Sequence, residues 1–167
     1  MTRTSVWPPT THDRPAVLHA YTDLLRWPLQ VGGRPVTAEE AEHLLATDPG
    51  LPLETDGSLF DAATVAYSLG LETLIRLDRM PQVPPVPCFT DGHSTVTFLL
   101  TPGTGEGLAG LSDVRVGAGG PVALPPSTGL RWDTPPWNCT VPERLAIPAA
   151  EELAPALRAA VRLYGRS

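Results

Sequence analysis

The chain has 167 residues, enough for one domain around one core, and its 42% hydrophobic and 18% charged residues describe a globular protein rather than a disordered one. A net charge of -6 repels phosphates at long range, which excludes a strongly basic nucleic-acid binder and leaves such contacts to a local arginine cluster. No segment reaches the roughly 20 apolar residues that span a bilayer, and the N-terminus lacks a signal-peptide core, so the expected location is cytoplasmic with no membrane partner.

Residues 1–12, with Pro8 and Pro9 and no hydrophobic period, are expected to form an irregular arm ahead of a single domain over 13–167. The first helix follows in HDRPAVLHAYTDLLRW, capped by Asp13 and carrying Val17, Leu18, Tyr21, Leu24 and Leu25 at helical spacing. WPLQVGGRPV reads as a short strand with a Gly-Gly turn. TAEEAEHLLATDPG reads as a helix opened by a Thr37–Glu40 capping box and stopped at Asp48, Pro49 and Gly50. LPLETDGSLFDAATV predicts two short strands around Asp56-Gly57, the second ending near Ala63. VAYSLGLETLIRLDRM predicts a third helix weakened at Gly70.

The proline-rich connector MPQVPPVPC leads into a sheet region. There STVTFLL alternates as a strand, TPGTGEGLAG reads as a flexible glycine loop, and DVRV with PVAL reads as a hairpin turned through Gly117 to Gly120. GLRWDTPPW adds a short strand. The last helix, PAAEELAPALRAAVRLYG, is expected to kink or restart at Pro155 and to stop at Gly165. The predicted fold class is α+β, with a mixed or antiparallel sheet flanked by helices.

Several residue patterns carry little chemistry by themselves. All 12 basic residues are arginine, a pattern that coding bias in a GC-rich genome explains more simply than phosphate recognition. Cys88 and Cys139 lack zinc-site spacing and read as buried thiols. Glu39 and His43 lie four apart on a helix, but EEAEH lacks the second histidine of a zinc motif, so a surface ion pair is the simpler reading. GTGEG lacks the lysine and hydroxyl of a phosphate loop.

The stretch SDVRVGAGGPVALPPSTGLRW is more distinctive. It resembles the third motif and following hairpin of bifunctional DNA primase/polymerase (prim-pol) N-terminal domains, in the archaeo-eukaryotic primase superfamily, where an aspartate, an arginine, a glycine turn, a strand, Pro-Pro-Ser and an aromatic strand succeed one another. Asp113, Arg115, Gly119, Gly120, Pro125, Pro126, Ser127 and Trp132 match those positions. The order of elements over residues 13–165 also looks like that of short actinobacterial proteins carrying the domain.

The resemblance implies an RRM-like derived α+β fold and two-metal nucleotidyl transfer, in which carboxylates at alternate strand positions hold divalent ions. In SLFDAATVA the two acidic positions fall on Thr64 and Ala66, whereas Asp61 lies three residues early and is expected to face the other side. The family's second-motif histidine has a counterpart only in TDGHSTVTF, with His93 about two residues early and Thr95 nearer the expected place.

The leading expectation is therefore a degenerate prim-pol-like module without cofactor or bound metal. Its partner would be a nucleotide or single-stranded nucleic acid, held through Arg115, Arg131, Trp132 and Ser127. Its candidate carboxylate Asp113 reads first as a local backbone hydrogen-bond acceptor and only second as a relict metal ligand, and Trp132 and Trp137 read as base-stacking or as packing on a proline-rich edge. One alternative is a protein-protein interaction module without nucleic-acid binding, to which the net acidity, the proline-rich segments and exposed tryptophans are suited. Another is a residual nucleotidyltransferase with Asp61, His93 and Asp113 as catalytic residues and Mg²⁺ or Mn²⁺ as cofactor. A basic cleft of Arg76, Arg79, Arg115 and Arg131 would favour nucleic acid over protein.

Overall fold

Side-chain caps and glycine turns divide the first third of the chain into short elements. A computed structural model describes residues 13–117, 119–138 and 140–164, so the expected N-terminal arm, Cys139 and the Gly165 stop lie outside the described residues. Helix α1 (Arg14–His19) is capped by the Asp13 carboxylate, which accepts the Ala16 N–H at 3.3 Å, and continues as a π-helical turn over Ala20–Leu24. Strands β1 (Leu29–Val31) and β2 (Arg34–Val36) form a hairpin in which Gly32 and Gly33 both take positive φ. Helix α2 (Ala38–Thr47) opens with the full Thr37–Glu40 capping box.

The remaining elements are β3 (Leu53–Asp56), β4 (Asp61–Ala66), α3 (Tyr67–Asp78), β5 (Cys88–Thr90), β6 (Thr95–Leu100), β7 (Arg115–Gly117), β8 (Pro121–Ala123), β9 (Arg131–Thr134) and α4 (Ala150–Tyr164). They build two antiparallel sheets, ordered β2-β1-β3-β8 and β7-β4-β6-β5-β9. The class is α+β, as expected, but with two sheets instead of one.

Three local expectations are corrected. Strands β7 and β8 do not pair as the expected hairpin, because β7 pairs with β4 in one sheet while β8 pairs with β3 in the other. Residues 53–66 pair with 121–123 in the first sheet and with 115–117 in the second, a two-stranded ribbon that bends from one sheet into the other, the usual way in which a strand turns the corner between packed sheets. At the bend Gly57 lies against Gly120, and a Cβ at Gly57 would collide with the Gly120 carbonyl oxygen. The second correction is that the strand ending near Ala63 runs on to Ala66, so the third helix begins at Tyr67, and Gly70 is its point of close approach to Val96 rather than a defect. The third concerns α4, which passes through Pro155 without interruption because Leu153, Ala154, Ala156, Leu157 and Ala160 are all buried. That apolar stripe outweighs the one backbone bond that proline removes.

Alternation along β4 divides the interior in two. Ala63 and Val65 join Val96, Phe98 and Leu100 of β6 under α3 and α4. Ala62 joins Leu99, Phe89 and Trp132 against α1, α2 and the first sheet. Both faces of β6 are therefore buried.

The bend sets a sharp steric test. Gly57→Ala is expected to destabilise the protein by about 2–3 kcal/mol, since neither backbone can withdraw without breaking ribbon pairing. Gly107→Ala, whose added methyl meets nothing within 4 Å, should stay within about 0.5 kcal/mol. Paired urea denaturation curves measure both.

Candidate functional site

Strand pairing decides which side chains share the face of the five-stranded sheet that looks toward the first sheet. Thr64 on β4 lies directly opposite Thr97 on β6 and Arg115 on β7, and Thr97 lies opposite Phe89 on β5. Paired residues project to the same face. Between that face and the bent ribbon is a cleft of about 410 Å³, lined by Thr64, Thr97, Arg115, Phe89, Val122 and Leu130 among others. None of its lining residues is acidic.

Inside the cleft the two threonine hydroxyls are 3.0 Å apart. One hydroxyl proton is used within the pair, and the other is left to donate outward. Arg115 is exposed, and among the described residues no carboxylate pairs with its guanidinium. Phe89 is buried and held edge-on against Trp132 at 5.4 Å, which fixes the apolar wall. Thr64 and Thr97 were legible only as strand positions; the alternation in STVTFLL was the signal that set Thr97 and Thr95 on one face. Nothing in the sequence announced that Thr97 would meet Thr64.

The remaining candidates are placed as follows. Asp113 is exposed in the turn before β7, and continuing the β4–β7 register by two residues brings it level with Ala66. His93 is exposed in the β5–β6 turn, where its Nδ1 lies 3.1 Å from the Asp91 carbonyl oxygen. Asp61 sits at the opposite end of β4, on the face away from Thr64 and Ala66, and its carboxylate accepts the Gly105 N–H at 2.8 Å. Five residues of strand rise, about 17 Å, separate the levels of Asp61 and Ala66. Asp61, His93 and Asp113 are therefore not brought together, and Asp61 is corrected from a candidate catalytic group to the anchor of the turn at 105–108. That turn is a short 3₁₀ helix with Gly105 buried, not the flexible loop expected. Among the described residues, no group of three or more His, Cys, Asp or Glu side chains could hold a metal ion.

Two binding candidates are corrected outright. Ser127 is fully buried and its hydroxyl donates to the Leu124 carbonyl at 2.7 Å, so it closes a turn after the cis Pro125–Pro126 bond. Trp132 is also buried. Its Nε1–H donates to the Tyr21 hydroxyl at 2.7 Å, and that hydroxyl donates to the Pro125 carbonyl. Tyr21, Trp27, Trp132 and Trp137 pack around one another, so neither Trp132 nor Trp137 offers a ring for stacking or for a partner. Burial holds the Tyr21 hydroxyl far above its ordinary ionisation range, against the smaller opposing effect of the bond from Trp132.

The expected basic cleft does not assemble either. Arg131 is on β9, at the other edge of the sheet from Arg115, and pairs with Thr90 on the opposite face. Arg76 is held by Glu72 at 2.9 Å. Cys88 is a buried thiol, as expected, pushed up to about 12 by burial and by the Asp133 carboxylate. The Glu39–His43 pair is exposed on α2 and belongs to no candidate metal site among the described residues. No helix of the described residues is long and apolar enough to cross a membrane.

Together these features define an α+β protein with a small cleft lined by hydroxyls and one arginine, and without carboxylates. Compared with family models, curated proteins and solved structures, the chain matches none.

Two measurements check this geometry. Tyr21→Phe leaves the Trp132 N–H and the Pro125 carbonyl without their buried partner, and should lower stability by about 2 kcal/mol or more in urea denaturation. Asp91 is the pH-dependent element. Its carboxylate accepts the backbone N–H groups of His93, Ser94 and Thr95, which holds it well below the usual carboxylate range. A depressed folded value contributes stability above the unfolded value, near pH 4, that is lost as pH falls. The stability gap between the parent protein and Asp91→Asn should be widest near neutrality and close steadily below about pH 4.

Proposed function

We propose that this protein is a degenerate prim-pol-like module that associates with a nucleotide or nucleic acid and does not polymerise. One observation carries the reading. The three segments that resemble the family's motifs, in β4, at the start of β6 and at β7, are neighbours in one sheet, and Thr64 of the first and Arg115 of the third line one cleft. Threonine and alanine stand where the resemblance calls for the acidic pair, which removes the ligands that two-metal chemistry requires.

The rival readings lose their particular supports. A residual nucleotidyltransferase needs Asp61, and that carboxylate is committed to Gly105 on the other face. A protein-interaction module rests on net acidity, proline-rich segments and exposed tryptophans, and the last of these supports goes, because Trp27, Trp132 and Trp137 are buried.

Fluorescence anisotropy of labelled single-stranded DNA and of labelled nucleotide, across a salt series, tests the proposal. Binding of either probe should weaken with salt and fall by about tenfold in Arg115→Ala. Primer extension with Mn²⁺ should be absent. Extension abolished by Asp113→Ala would replace the proposal with the enzyme reading, and no binding of either probe at tens of micromolar would leave it without support.

A further inference from the structure

We infer that the cleft captures the phosphate of a nucleoside monophosphate directly, on Arg115 and the Thr64–Thr97 hydroxyl pair, with no divalent ion between ligand and protein. The inference rests on the nucleotide reading above and goes beyond it by naming the ligand's charge state and the mode of capture.

The donor inventory is specific. Arg115 presents guanidinium N–H groups in a planar fork that matches a phosphate edge. Thr64 is its directly opposed cross-strand neighbour, so their Cβ atoms are about 5 Å apart, within reach of one anion. The 3.0 Å threonine pair adds a pre-oriented hydroxyl proton, and its second oxygen is anchored on the buried Thr97. Every polar side chain lining the cleft can donate, and no carboxylate is present either to hold a cation or to repel a phosphate.

Charge and size select among nucleotides. A single unpaired guanidinium in a protein of net charge -6 balances a phosphate monoester far better than a triphosphate stripped of its metal. The cleft, about 410 Å³, falls in the lower part of the 300–1,000 Å³ range typical of small-molecule sites. Phe89, Leu130 and Val122 supply an apolar surface for a base or sugar beside the donors. Polynucleotide tracking fits less well, because Arg131 lies on the other face and at the far edge of the sheet.

Isothermal titration of the whole chain with adenosine and uridine monophosphates, once in EDTA and once in Mn²⁺, tests this. The affinities should agree within about twofold between the two buffers, fall about tenfold or more in Arg115→Ala, and fall about threefold in Thr64→Val. Thermal midpoints of both variants, matched to the parent, establish that a loss is local. Two results overturn the inference while leaving nucleotide association intact: binding seen only with Mn²⁺, and triphosphate bound more tightly than monophosphate in EDTA. If no nucleotide and no oligonucleotide binds in either buffer, the functional reading falls as well.

Discussion

The bent ribbon of residues 53–66 with 115–117 and 121–123 is the constraint on which the other features depend. Its two strands pass from one sheet into the other side by side, and this is possible only because Gly57 and Gly120 let the backbones meet at the bend. The ladder continues past the strand ends, where the Leu124 N–H donates to the Leu53 carbonyl at 2.8 Å. Bending fixes the separation of the sheets, and the separation leaves the cleft open beside Thr64 and Arg115. A flat hairpin over the same residues would have produced one sheet and no cleft.

A second contact secures the other side of the sheets. Tyr21, from the π-helical turn after α1, links Trp132 on β9 to the Pro125 carbonyl through one hydroxyl. Because Trp27, Trp132 and Trp137 are consumed in this interior cluster, no tryptophan among the described residues is left on the outer surface. The polar side chains are thus divided: buried hydrogen bonds of Tyr21 and Ser127 hold the fold, and Arg115 and Thr64 line the cleft.

On the proposed prim-pol-like reading, threonine and alanine stand where the resemblance calls for an acidic pair, and the two sets of side chains suit different ligands. Carboxylates attract cations and, through them, phosphates; hydroxyls and a guanidinium attract phosphates without an intermediary.

The sequence by itself determined the elements whose cause is local. The Asp13 cap, the Thr37–Glu40 capping box and the Gly32-Gly33 turn follow from side chains within a few residues of one another, and all three were legible. It also determined that Asp61 and Thr64 face opposite ways, since strand alternation depends only on spacing. Tertiary structure alone decided which strands are partners. Local preference could not tell a hairpin at Gly117 to Gly120 from a corner between sheets, because glycine permits both and only the competing strands β3 and β4 choose. The burial of Ser127 and Trp132 and the meeting of Thr64 with Thr97 were decided at the same level, by contacts between residues from 33 to more than 100 positions apart.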